Sequence, residues 1–274
     1  MPSRLWRAIH FSRRAITLFV LSSLLVLAGA LAWLDSGPGH RFVGRQIAAW
    51  APQSGLRVSV GRIDGSIYNN ALLHDVRFSD TQGVFLEAKS VRLDWWPLGW
   101  LSNRLEIDTL YTPEARLHRL PKLKPSLKKG KILPDFDIRI MRLGVDRLII
   151  EKGVGGHPDV LSLSGDADIR SGHALADIKL RSIKGRDSLL LSLDSRPDEN
   201  RFDVDLTVDA PKDGLLASMV GLKQDANLRL EGQGDWAAWD GRLIATLAGK
   251  SAAGLNIHLR KGNYLFEGAV SGGV

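Results

Sequence analysis

The sequence predicts a mainly β protein: an N-terminal transmembrane helix and a short helix, then an elongated, curled sheet of antiparallel type forming an open apolar groove. Three observations carry that expectation. Residues 15–34, AITLFVLSSLLVLAGALAWL, run twenty positions without a charge, directly behind a cluster of arginines. From Leu56 onward the apolar period changes from helical to two. Nearly every alternating run is apolar on one face only, with Gly, Asp, Asn and Pro between runs. A β-sandwich would bury the same faces and is the alternative architecture.

Residues 1–14 hold Arg4, Arg7, Arg13 and Arg14 and no acid. The apolar run behind them, at 1.5 Å per residue, makes a helix of about 30 Å, the thickness of a hydrocarbon core. Leu18, Phe19, Leu24, Leu25 and Leu27 are its expected lipid-facing anchor residues. Arginines before the run and Asp35 after it keep residues 1–14 in the cytoplasm and export the rest. The expected location is the inner membrane, single-pass, with the bulk of the chain periplasmic. A cleaved signal peptide is the competing reading, since Ala28-Gly29-Ala30 and Ala30-Leu31-Ala32 offer small residues at suitable spacing. The apolar run exceeds the usual ~7–15-residue signal core, which favours an anchor that stays.

Residues 35–53 form an expected short amphipathic helix. Ser36 would cap it, Phe42, Val43, Ile47 and Trp50 recur near helical spacing, and Pro52 closes it. Residues 54–274 are the expected periplasmic groove, cut short at its C-terminal end. Val84, Leu86 and Ala88 alternate on even positions, then Val91, Leu93 and Trp95 on odd ones, which predicts a β-bulge near Lys89-Ser90. Ile138 and Ile140 repeat the theme after Phe136. The cleanest run is RFDVDLTVDA, where Phe202, Val204, Leu206 and Val208 face one way and Asp203, Asp205, Thr207 and Asp209 the other. The expected groove lining is Val84, Leu86, Val91, Leu93, Trp95, Ile138, Phe202, Val204, Leu206 and Val208. About fifteen strands arrive as a meander with no obvious long crossover. The segment GQGDWAAWDGRLIATLAG (232–249) has the look of a repeat unit.

Between residues 119 and 135 five lysines and three prolines interrupt the pattern; this is either a solvated loop or a contact for anionic head groups. The net charge of +7 falls to +3 (+7 less +4) once the leading arginines are set aside, so no basic stripe remains for a nucleic acid. There is no cysteine, the seven histidines are scattered, and no catalytic or cofactor motif appears. Neither an enzyme, a metal nor a cofactor is expected. The Asp-x-Asp pairs Asp135/Asp137, Asp166/Asp168 and Asp203/Asp205 could hold a cation but read as the wet face of a strand.

The corner VRLDWWPLGWLSNRLEIDTL (91–110) puts Trp95, Trp96 and Trp100 between two amphipathic strands. Together with GRIDGSIYNNALLHDVRFSD (61–80), a signal-anchor and a short helix ending in Trp50, it resembles the N-terminal region of the TamB translocation-and-assembly-module family, within the wider AsmA-like proteins. GDWAAWDGRL is similar to that family's later repeats. The resemblance is specific over residues 15–120 and one of pattern beyond. It implies an inner-membrane anchor and a periplasmic β-taco with an apolar interior. It implies a role in phospholipid transport to the outer membrane and in outer-membrane protein and autotransporter assembly. The implied partners are membrane phospholipids and the outer-membrane barrel TamA, which would dock on a C-terminal region not present in these residues. The remaining alternative is a structural or partner-docking β module without lipid cargo.

Overall fold

The computed structural model describes residues 3–49, 55–122, 137–170, 173–196, 201–235, 238–260 and 263–271. Two helices lead: α1 (Ser3–Leu34) and α2 (Gly37–Ala49). Strands β1 (Arg57–Ser59), β2 (Arg62–Gly65), β3 (Asn70–Asp80) and β4 (Gly83–Trp96) follow, then a 3-10 turn over Pro97–Ser102. Next come β5 (Arg104–Leu117), β6 (Asp137–Ile150), a one-turn helix α3 (Lys152–Gly155), β7 (Asp159–Arg170), β8 (His173–Ser182), β9 (Ser188–Arg196) and β10 (Arg201–Ala210). A second short helix, α4 (Leu215–Met219), precedes β11 (Ala226–Gly234), β12 (Ala238–Leu247), β13 (Lys250–Arg260) and β14 (Asn263–Val270).

All fourteen strands belong to one sheet, and from β3 to β14 each pairs with the next in chain order. β1 and β2 both lie along β3, and the sheet does not close on itself. A sandwich would need a second sheet, and the described strands form a single one. At about 4.8 Å per strand the array is roughly 60 Å long.

One step departs from the expected meander. β6 runs parallel to β5, with Leu105 opposite Ile138 and Leu117 opposite Ile150. Parallel neighbours need a chain that returns along the strand before pairing again. The lysine- and proline-rich segment supplies the length: an extended chain reaches roughly 3.3 Å per residue, so the stretch from Leu117 to Asp137 can span a fourteen-residue strand. Its residues 123–136, with Lys124, Lys128, Lys129, Lys131 and Phe136, lie outside the described residues.

Two irregularities set which side chains share a face. Pairing passes from His74↔Ser90 to Val76↔Ala88, with Asp75 at φ +53°. The register does not shift at this step; that Ala88 and Leu93 share a face follows from their rows, Ala88–Ala115–Leu148–Leu161 and Leu93–Leu110–Leu143–Gly165, which end on one face of β7. Nearer the turn the register shifts between Phe78 and Ser79, so Val84 stands opposite Ser79 and Leu86 opposite Phe78. Phe85 takes the interior place there, buried with its ring 6.4 Å from that of Phe78, while Val84 is 40% exposed.

The sheet is open and curled. α3 follows β6 and α4 follows β10, four strands on, a span of about 19 Å along the sheet. Yet Leu215 of α4 packs with Ile150 and Leu161 of β6 and β7, and the Ser218 hydroxyl donates to the Gly155 carbonyl of α3. Asp187, in the β8–β9 turn, fixes where α4 starts: its buried carboxylate accepts from the Leu216 and Leu215 amides at 2.9 and 3.3 Å. A Cβ on Gly214 would lie 2.2 Å from that carboxylate, so only glycine fits.

Candidate apolar groove

Directly paired residues share a face, so the registers can be followed across the whole sheet. One line runs Gly65, Ala71, Leu93, Leu110, Leu143, Gly165, Ile178, Leu191, Leu206, Leu230, Leu243, Leu255, Gly268. No member is polar, from the first hairpin to β14. A neighbouring line carries Trp95, Ile107, Ile140, Ala167, Ala176, Leu193, Val204, Gly232, Gly241, Ile257 and Phe266. Val208 belongs to a third line with Leu228, Leu189, Leu180 and Leu163. The charged face is as consistent: Asp205 opposes Glu231, which opposes Arg242.

The expected lining residues Leu86, Val91, Leu93, Trp95, Ile138, Phe202, Val204, Leu206 and Val208 all fall on the apolar face; Val84 does not. Leu189, Leu191 and Leu193 add a stretch that the sequence hides, because Leu190 between them breaks the alternation. Most side chains of this face are half-buried, and among the described residues only the short helices lie near it. Two places are tighter. One is the α4 contact described above. The other is Trp239, whose indole lies over Gly232 and Gly241: a Cβ on either would sit 1.8 or 2.2 Å from the ring. Trp239 is buried and packs with Ile257, Leu259, Phe202 and Leu230. Its Nε1–H has no acceptor among the described residues, so packing alone holds the ring. Trp236 lies outside the described residues.

The tryptophan corner divides its labour. Trp95 continues the apolar line, and its Nε1–H donates to the Ile67 carbonyl at 3.0 Å. Trp96 faces the other way, opposite Glu106, and is 54% exposed. The Trp100 side chain lies outside the described residues. The Ile67 amide in turn donates to the Asp35 carboxylate at 2.8 Å, Tyr68 Oη donates to the Leu31 carbonyl, and His40 Nδ1 meets the Ile63 carbonyl. The elbow between the two helices is thereby tied to the β2–β3 hairpin. Gly39 allows the elbow to fold so closely, since a Cβ there would meet the Trp33 carbonyl oxygen at 2.2 Å. Ser36 does not cap α2 as expected; its hydroxyl turns back to the Trp33 carbonyl.

Of the anchor residues, Phe19, Leu24, Leu25 and Leu27 are exposed, and the Leu18 side chain lies outside the described residues. Among the described residues no single helix is long and apolar enough to cross a membrane. The pair Phe19–Leu34 and Gly37–Ala49, bent by 75°, meets that length and composition together.

The outer face is laced with ion pairs. Arg170 holds Asp168 and Arg201 holds Asp203, so the Asp-x-Asp carboxylates face guanidinium groups. His258 and Arg260 both reach Asp240 and hold its carboxyl below the usual range. His118, with Arg116, does the same for Glu151. A recess of about 720 Å³ on this face is walled by Asp203, Asp205, Glu231, Arg242 and His258, a lining unlike an acyl chain. At the β3–β4 turn Arg119 grips the enclosed Asp80 carboxylate through two bonds, 2.6 and 2.7 Å, and the Lys122 amide adds a third. Comparison with protein-family models, curated proteins and solved structures finds no match.

Proposed function

We propose that this chain is a TamB-like groove protein, anchored in the inner membrane through α1, with its sheet in the periplasm. There it shields lipid acyl chains, or the apolar faces of nascent outer-membrane strands, from water. Phospholipids are its cargo in this reading, and a TamA-type barrel its distant partner. The process needs no covalent step.

The observation that carries the proposal is the uninterrupted apolar line from Ala71 to Leu255 on an open, curled sheet. Burying apolar area is worth about 25 cal/mol per Å². A face of this extent, left half-covered, is stabilised by anything that fills it with hydrocarbon. Patches larger than a few hundred Å² are rarely left bare without a binding role. The exposed apolar residues of α1 and the arginines that precede its apolar run support the anchor.

The test is native mass spectrometry of the full chain purified in mild detergent. Wild type should carry added masses of one or more phospholipids, and Leu206→Asp, which puts a carboxylate in the middle of the line, should lose them with its circular dichroism unchanged. A folded wild-type protein that never carries lipid favours the scaffold alternative.

A further inference from the structure

A cavity of about 740 Å³ lies between α2 and the β1–β2 edge, beside the elbow. Its α2 wall carries His40, Arg41 and Arg45, its floor Val60 and Ile63, and its far wall Arg62 and Asp64. Arg41 and Arg45 stand one helical turn apart, where like charges repel. Neither has a carboxylate partner among the described residues. The nearby acids are already engaged: Asp64 by Arg62 and His74, each at 2.9 Å, and Asp35 by the Ile67 amide and His40. Two uncompensated guanidinium groups therefore face a cavity with an aliphatic floor. Ile63 is opposite Leu73, itself opposite Val91, so this floor continues into the apolar face of the sheet.

We propose that this cavity binds the phosphate of an anionic lipid headgroup, a site that rests on the groove reading and marks where lipid is taken from the bilayer. The chemistry fits each part. Guanidinium forks match phosphate oxygens bidentately. The Val60 and Ile63 floor suits the start of an acyl chain. The cavity follows Leu34 by a few residues, at the level where a helix leaving the hydrocarbon core meets head groups.

The experiment uses the full chain in detergent, mixed with vesicles of phosphatidylcholine with or without phosphatidylglycerol, and reads lipid uptake by native mass spectrometry. At about 1 kcal/mol per basic residue, Arg41→Gln with Arg45→Gln should weaken phosphatidylglycerol binding on the order of thirtyfold. Uptake of diacylglycerol, which has no phosphate, should be unchanged. Arg41→Lys with Arg45→Lys should fall between, keeping charge but losing the fork. Phosphatidylglycerol binding equal to wild type in the double glutamine variant overturns the site. If wild type takes up no lipid at all, the groove reading fails, and titration with glycerol phosphate decides the cavity separately. Binding that the arginine substitutions abolish leaves a free-phosphate site and overturns the headgroup; no binding overturns both.

Discussion

Ile67 is held at both ends of its own backbone: the amide by Asp35 from the helix elbow, the carbonyl by the Trp95 indole from β4. Asp35→Ala removes a hydrogen bond to a charged acceptor, worth about 1.5–3 kcal/mol. It also leaves a half-buried N–H unpaired. At about 2 kcal/mol the hairpin turn opens roughly thirtyfold more often. Trp95→Phe keeps most of the ring and removes a neutral bond of about 1 kcal/mol, a roughly fivefold effect. Because both bonds close the same turn, the double variant should fall short of the two effects added. Hydrogen exchange followed by mass spectrometry on peptides covering residues 64–72 reads this directly. Exchange at wild-type rate in Asp35→Ala would show that the elbow is not tied here. Faster exchange spread evenly over β8 to β13 would show global loosening instead of a local tie.

The acid limb of stability should depend on Arg119. Its guanidinium holds the Asp80 carboxyl far below the usual carboxylate range, with the Lys122 and Gln82 amides adding to it. A pKa lower in the folded chain than the unfolded value near 3.9 gives stability that is complete above about pH 4 and lost as pH falls through the depressed value. Arg119→Met should therefore lower the urea midpoint above about pH 4 and flatten its acid limb, the two profiles converging as pH falls; superimposable profiles would refute it. Gly241→Val should expel the Trp239 ring, at a cost of about 3 kcal/mol, within the range for losing a buried tryptophan. A urea-derived loss under about 0.5 kcal/mol would mean the ring does not rest there.

The alternation of Val91, Leu93 and Trp95, and of Phe202 to Val208, was enough to assign both faces of the sheet, because a strand's period of two survives any neighbour. The parity change at Lys89 announced a break in alternation, but no shift of register to β3 or β5 accompanies it. What the sequence concealed depends on distant partners. Nothing near Asp187 says that it will cap a helix twenty-eight residues later, or that Leu215 will reach back to Ile150. The parallel step was hidden because strand direction leaves no mark on alternation; only the long lysine-rich connection hinted at a return. Val84 fell out of its row because the bulge at Phe85 could not be told from a regular strand. In the site, the apolar rows of the sheet were legible and the Arg41–Arg45 cavity was not, since helix α2 gives no sign of the sheet edge that completes it.

The parallel step also bears on how the chain assembles. Every other junction after β3 is a hairpin-like contact between strands close in sequence, which costs little loop entropy and forms quickly. The β5–β6 junction joins residues such as Leu105 and Ile138, and its closing loop is the longest in the sheet. The cheapest order of assembly makes two separate meanders, one ending at β5 and one beginning at β6, that meet last along this seam. Until they meet, two long strands present unpaired edges to solvent. Those edges are the interval of the protein's life in which aggregation has its opening.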